Sequence, residues 1–572
     1  MKTILRYLKP HIPLMVLGLL IKFAGTIMDL LLPYILSHLI DDVVPTREIR
    51  TIIFWGVVMV VVSLCGVTGN VTANRMASRV ARDTARCIRY DLFARTMRLS
   101  AAQADRFTIP SLEARLTTDT YNIHQFLGSI QRLGIRAPIL LIGGIIVTLA
   151  LDPVMALVLI GSLPFIGLTV WAITSKGIPL YTAQQQKVDG MVRVIREDAQ
   201  GIRVIKALSK DDYECRRFDG VNREVMAAEK KASLTMALSN PLITFFLNAG
   251  LVAVILVGAY RVNIGLAEPG KIIAFMSYFT IISNALLAVT RMFVMYSKGS
   301  ASAKRIEEVL HAPEELTPIP TLPSLETDAH IVFDNVRFSY NKRKDNLSGI
   351  SFSLPHGATL GVIGATGSGK TTLLALLMRF YDPDGGHIYL NGRDVRSIPA
   401  DELHRMFGSA MQNDFLYADT IAENVRFGRD IDDRQIDGAM RTAQASDFVE
   451  RLADKADAIL TSAGTNISGG QKPRLLLSRA LAGNPEILVL DDSTSALDYK
   501  TDAALRQALR ESFAATTTVI VAQRVSSIQY ADLILVLDDG ALIGCGTHSE
   551  LLQSCPIYRE ISQSQMGGAI LD

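Results

Sequence analysis

The sequence predicts a multi-domain membrane protein, an all-α six-helix transmembrane domain followed by an α/β P-loop nucleotide-binding domain. Three observations predict it. Of the 572 residues 49% are hydrophobic, and they are unevenly spread. Six apolar stretches, each close to the ~20 residues needed to cross a hydrocarbon layer, all lie before residue 292. From about Ala329 onward short β-rich runs alternate with helical stretches, and one run leads into a glycine-rich loop, as in an α/β domain with largely parallel core strands.

The expected spans are residues 13–40, 51–73, 134–151, 154–175, 237–260 and 272–291. The basic start and the apolar run after it exceed signal-peptide length without a small-residue cleavage pattern, which reads as a retained first membrane helix. Only Asp152 and Pro153 separate the third and fourth spans, and proline stops a helix, so the chain must reverse there in a tight hairpin. Two connections, 74–133 and 176–236, are much longer than the rest. The first carries Arg75, Arg79, Arg82, Arg86 and Arg89, and the N-terminal tail adds Lys2, Arg6 and Lys9, so the positive-inside bias makes this side cytoplasmic. Helical spacing with few Gly or Pro in these connections predicts helices that continue past the lipid. The expected organisation is a transmembrane domain over 1–310, a proline- and acid-rich linker over 311–328, and the second domain over 329–572.

Lys and Arg total 58 against 56 Asp and Glu, so a net charge of +2 offers no field to draw the protein onto nucleic acid. A lipid membrane and a small-molecule cargo are the expected partners. Cys65, Cys87, Cys215, Cys545 and Cys555 are odd in number and scattered, which supports neither a disulfide framework nor a zinc site.

Gly364, Ala365, Thr366, Gly367, Ser368, Gly369, Lys370 and Thr371 fit G-x-x-x-x-G-K-[ST], with an apolar strand before and a helix-forming run from Thr372 after. Glycines let the backbone wrap so that its N–H groups point at phosphate oxygens, and the helix N-terminus adds favourable dipole charge. Lys370 is placed to reach the β- and γ-phosphates and the Thr371 hydroxyl to ligate Mg²⁺, so ATP and Mg²⁺ are the expected ligands. A second strand ends in Asp491 and Asp492; an aspartate leaving a buried strand beside such a loop can hold the metal ion.

Ile467–Gln471 read ISGGQ, followed by KPRLLLSRAL and the acid-bearing strand, and here the chain resembles the ATP-binding cassette (ABC) family, its exporters in particular. The resemblance covers nearly the whole chain. It implies that Tyr340 stacks on adenine, that Gln412 senses Mg²⁺ beside Thr371 and Asp491, that Ser495, Ala496, Leu497 and Asp498 form an inter-domain aspartate loop, and that Gln523 stands where the family has its switch histidine. It also implies that Ser468, Gly469, Gly470 and Gln471 clamp the γ-phosphate of ATP held by a partner's loop. A serine and two glycines opening a helix offer a hydroxyl, exposed N–H groups and a positive dipole end for that task. One loop and one clamp per chain then require a second chain. Segments 111–119 and 201–218 resemble the family's coupling helices.

The catalytic position departs from the family pattern: the family's glutamate is Asp492 here, one methylene shorter, and a carboxylate misplaced by ~1 Å can lose on the order of 100-fold in rate. Gln523 can donate a hydrogen bond but cannot be cationic. Both departures fall on this chain's own ATP site, while the clamp that serves the partner is nearly intact. The resemblance thus points to the degenerate half of a heterodimeric exporter of hydrophobic or amphipathic compounds, sited in the plasma membrane with a second, different half-transporter chain. A hydrolytically active homodimer and a nucleotide-gated channel or regulatory subunit are the alternatives. Pro473 is expected to remove one helical hydrogen bond if Ser468 is the N-cap. In the first span Lys22 and Asp29 are two helical turns apart and share a face, which is expected to avoid lipid. Ser277, Tyr278, Thr280, Ser283 and Asn284 give the sixth span a polar component suited to packing or cargo contact.

Overall fold

Among the described residues, six helices long and apolar enough to cross a membrane occupy Ile4–Thr46, Ile49–Thr96, Ile109–Leu151, Pro153–Ala207, Asp211–Asn263 and Pro269–Val289. Their elements are α1 (Lys2–Leu8), α2 (Ile12–His38), α3 (Ile49–Thr96), α4 (Ala101–Phe107), α5 (Ile109–Ala114), α6 (Thr120–Leu151), α7 (Pro153–Ala207), α8 (Asp211–Ala237), α9 (Ser239–Asn263) and α10 (Pro269–Leu310). The computed structural model describes residues 2–313, 316–412, 414–493, 495 and 497–566. The 48 residues of α3 make a helix of about 70 Å, roughly twice the hydrocarbon thickness, so the expected extension past the lipid is present.

Small residues bring these helices together. A Cβ on Gly25 of α2 would come within 3.2 Å of the backbone of Gly66 and Asn70 on α3, so glycine allows the two helices to approach closely there. At the hairpin the Asp152 carboxylate accepts from the N–H groups of Val154 and Met155, capping α7, and pairs with Arg261 of α9 at 3.0 Å. The buried Tyr278 hydroxyl of α10 donates to the Leu30 carbonyl of α2 at 2.6 Å, while Ser277 and Thr280 bond back to their own helix, so Tyr278 serves packing. The cysteines form no disulfide.

The chain divides into two units, Met1–Met97 with Ile109–Ala312, and Arg98–Thr108 with Pro313–Asp572. This corrects the expected domain bounds: residues 98–108, which include α4, belong with the second unit, whereas 111–119 stay with the first. Ser100 and Gln103 form a capping box that starts α4, a local S-x-x-Q signal present in the sequence. The described part of 311–328 is not a free linker: from Pro313 it belongs to the second unit, with Ile319 N–H donating to the Arg396 carbonyl and Leu325 N–H to that of Gly392. Backbone groups beside a folded surface find partners there, which a compositional reading cannot show. Residues 201–218 form the end of α7, a short turn and the start of α8.

The second unit carries two sheets. One is antiparallel, in order β2 (Leu347–Pro355), β1 (Ala329–Phe338), β4 (Gly385–Leu390) and β5 (Arg393–Asp394). The other runs β10 (Ala541–Gly546), β9 (Leu533–Asp538), β3 (Thr359–Gly364), β8 (Thr517–Val521), β7 (Ile487–Asp491) and β6 (Phe407–Ala410), with β9, β3, β8, β7 and β6 mutually parallel. Every residue of β7 is buried, as a central parallel strand covered on both faces requires.

Candidate nucleotide site

Parallel pairing aligns the carboxyl ends of the central strands, and open α/β sheets hold ligands at that edge. Gly364 at the end of β3 lies opposite Leu537, and Asp491 at the end of β7 lies opposite Val521. Asp492 follows β7 directly, Gln523 stands two residues beyond β8, and Gln412 occupies an exposed turn two residues beyond β6. The register therefore gathers residues spread over about 160 positions of sequence onto one edge.

After β3 the chain turns through Ala365–Gly369 into the helix α11 (Lys370–Leu377). Gly369 has φ +99°, and a Cβ there would meet the Asn346 carbonyl at 2.8 Å. Gly367 has φ +85° and open space where its Cβ would stand, which leaves the concave side of the loop free. The Lys370 ammonium donates to the carbonyls of Gly364 and Ala365 at 2.8 Å each, folding back over the loop. Burial pulls the Lys370 pKa down, while Asp491 and Asp492 oppose the shift. The Thr371 hydroxyl donates to the Asp491 carboxylate at 3.2 Å, so two hard oxygen ligands for a divalent cation already face each other. Burial pushes the Asp491 carboxyl up from its ordinary value, the Thr371 bond pulls it down, and Asp492 raises it further. The Ser368 hydroxyl is buried without a hydrogen-bond partner in the loop. An open loop, a folded-back lysine, an orphaned hydroxyl and a Thr–Asp pair fit a magnesium-bound triphosphate.

Asp492 takes a left-handed backbone (φ +49°), with its N–H donating to the Val521 carbonyl. Its carboxylate accepts from the Gln523 side-chain amide at 3.0 Å. The exposed Tyr340 ring stands over the start of α11, its hydroxyl 3.4 Å from that of Thr372, and packs edge-on to Tyr381 at 5.1 Å between centroids. Tyr381 in turn donates to Asp105 of α4 at 2.5 Å.

Ser468–Gln471 lead into a separate helix, Gln471–Leu481. Here the Ser468 expectation is corrected: the N-cap is Gly470, and the Gln471 side chain reaches back to accept from the Ser468 N–H at 2.8 Å. Pro473 is the third residue of this helix; the Lys472 N–H donates to the Ser468 carbonyl at 3.2 Å, and the proline has no N–H to make the next bond of that pattern. Gly469 has open space around it, and the Ser468 hydroxyl is not committed to capping. Asp498 caps the helix Tyr499–Ser512 through Thr501, and Ala496 lies outside the described residues.

Sequence reasoning missed Gln565, on the helix Pro556–Met566. Its side-chain carbonyl accepts from the Val525 N–H at 2.8 Å and its amide donates to the Gln523 carbonyl at 2.9 Å, bracketing the switch position. Nothing local in the sequence marks it.

The family pattern described as ABC transporter transmembrane region matches residues 15–286, and that described as ABC transporter matches residues 347–495. The chain belongs to the ABC transporter family. It is 32% identical to the uncharacterized ABC transporter ATP-binding protein YfiB of Bacillus subtilis (strain 168) over 99% of each chain. It is 30% identical to YknU of the same organism, also an uncharacterized ABC transporter ATP-binding protein, over 99% of this chain and 97% of that one. Its fold is that of a bacterial Atm1-family ABC exporter solved with ATP bound, with a TM-score of 0.81, 24% identity and 98% of both chains covered. This ABC transporter is thus a multi-pass membrane protein with a cytoplasmic ATP-binding domain, and it couples ATP hydrolysis to transport.

Proposed function

We propose that the chain is one half of a heterodimeric exporter of small hydrophobic or amphipathic compounds, and that it holds ATP in its own site with little hydrolysis while its clamp serves the partner's site. The observation that carries the reading is the Asp492–Gln523 pair at the edge where the γ-phosphate must lie. A general base must come within hydrogen-bond reach of the attacking water, and Asp492 is both short and engaged by an amide that cannot carry positive charge.

In this reading Tyr340 stacks on adenine, and the backbone of Gly364–Thr372 surrounds the phosphates with Lys370 beside them. Thr371, Asp491 and Gln412 hold Mg²⁺, which when bound neutralises charge on the phosphates. Ser468, Gly469, Gly470 and Gln471 reach the partner's nucleotide. ATP closes the pair, and turnover chiefly at the partner's site reopens it.

The test is ATPase activity of the purified chain alone and of the chain with the companion that co-purifies from its native membrane. Little turnover alone and strong turnover in the pair is the expected result. Brisk turnover by the chain alone, abolished by Lys370→Ala, overturns the division of labour and leaves a homodimeric pump. Strictly downhill cargo flux through the pair in vesicles overturns export in favour of a channel.

A further inference from the structure

Transport requires a cargo subsite, and the first unit holds a group of charged side chains that the ATP chemistry does not use. Lys22 of α2 is only 3% exposed and donates to the Asn74 side-chain carbonyl of α3 at 3.0 Å. Asp29, two turns further along α2 and on the same face, accepts from Asn70 of α3 and from Arg136 of α6, both at 3.1 Å. Arg132, one turn before Arg136, donates to the Ser78 hydroxyl at 3.4 Å. Asp29 lies nine residues before the end of α2, about 14 Å into the span, while Arg132, Asn74 and Ser78 stand just beyond the expected spans, so the group runs from mid-membrane to the cytoplasmic edge.

The charges do not balance. Lys22, Arg132 and Arg136 bring three positive charges against the single carboxylate of Asp29, and among the described residues neither Lys22 nor Arg132 has a carboxylate within ion-pair distance. The Arg136 Nε–H and the Asn70 side-chain carbonyl are buried without partners, so the network is also incomplete in hydrogen bonds. Lys22 is buried with only a neutral partner, an expensive arrangement for a cation, and the Arg136 side chain keeps 43% of its surface exposed, so it has room for a further partner. The excess is positive, and the missing group is an anion.

An apolar pocket of about 320 Å³ lies between α6 and α10, lined by Phe126, Ser129, Ile130, Met292, Met295 and Tyr296 among others. Ser129 stands three residues before Arg132 and seven before Arg136, so the pocket edge and the two guanidiniums follow one another along one side of α6. Flexible methionines and aromatic rings suit an apolar body of variable shape.

We propose that this transporter carries an anion-selective cargo subsite for amphipathic organic anions, with the acid group held by Arg136, Arg132 and Lys22 and the apolar body in the Phe126–Tyr296 pocket. Asp29 acts as an internal stand-in that holds Arg136 until the acid group arrives. The proposal rests on the transporter reading, but it is tested by binding alone, so it stands or falls independently of which chain hydrolyses ATP.

The test uses the full chain in phosphatidylcholine nanodiscs and two fluorescent probes of equal alkyl length, a dansylated undecanoate and its trimethylammonium counterpart. The carboxylate is expected to bind at least ~10-fold more tightly than the ammonium. Arg136→Gln is expected to weaken carboxylate binding by roughly 10-fold without moving ammonium binding, with ATP binding as the control for folding. Lys22→Gln gives a second reading where it folds. Asp29→Asn frees Arg136 and is expected to tighten carboxylate binding, whereas loss of a purely structural staple weakens it. Equal affinity for the two probes, or a fall in carboxylate binding in Asp29→Asn, overturns the proposal. Discs containing phosphatidylglycerol separate the sources of the anion: undiminished probe binding assigns the site to diffusible cargo, and displacement assigns the same anion chemistry to a lipid headgroup.

Discussion

The Gln523 side-chain amide and the Asp492 carboxylate are hydrogen-bonded across 3.0 Å, so the two residues proposed for the catalytic and switch positions are each other's partners. They form a neutral donor and a short acceptor at the end of the site where water must be activated. Restoring Asp492→Glu together with Gln523→His lengthens the carboxylate by one methylene and supplies a side chain that can be protonated. In the proposed heterodimer, turnover at this chain's own site is expected to rise on the order of 10- to 100-fold. Unchanged turnover places the cause of weak hydrolysis elsewhere.

Gln565 mimics a backbone strand, accepting from Val525 and donating to Gln523. Gln565→Ala removes both bonds, each of which contributes about 1 kcal/mol. The Gln523 loop then loses its anchor, and affinity for ATP is expected to fall roughly 3- to 10-fold while affinity for ADP, which has no γ-phosphate to sense, stays put. Gln565→Glu keeps the acceptor and gives an intermediate result. Competition binding with the two nucleotides measures it, and parallel losses for ATP and ADP would show a merely structural contact.

Tyr381 touches Tyr340 through its ring and Asp105 through its hydroxyl. Burial, then the bond to Asp105, pushes its pKa up, so the hydroxyl remains a donor throughout the physiological range. Tyr381→Phe keeps the ring contact and is expected to leave ATP affinity within about twofold. Tyr381→Ala removes the brace on Tyr340, and an edge-to-face pair contributes about 0.5–1.5 kcal/mol, so a loss of about 2- to 10-fold is expected by titration.

His330 is 2% exposed, stacks on His356 at 4.0 Å and bonds to Thr517 through Nδ1 at 2.7 Å. Burial, reinforced by His356, lowers its pKa from 6.5 to about 4. The unfolded chain therefore binds the extra proton first as pH falls, so the stabilisation is full above about pH 6.5 and is lost progressively down to about pH 4. A loss on the order of a few kcal/mol is expected in the ATP-binding domain over that window. Thermal melting against pH checks it, and His330→Asn should flatten the slope.

The strongest sequence signals were those that act locally. The glycines of the 364–371 loop, the apolar lengths of the spans and the Asp152-Pro153 reversal are dictated by backbone sterics and transfer free energy over a few neighbouring residues, and the structure contains each of them. The helix 101–107 is equally legible through its Ser100–Gln103 capping box. The position of Pro473 depended on where its helix starts, a matter of which residue caps it.

The sequence by itself determined which chemistry the chain carries, since a phosphate loop and a membrane span each need only contiguous residues of the right type. Only the tertiary structure decided what stands beside that chemistry. Gln565 reaches a loop 40 residues earlier, Tyr381 meets a residue 276 positions away, and Arg136 meets Asp29 across 107, because strand register and helix packing bring together side chains whose spacing in the chain has no period to read.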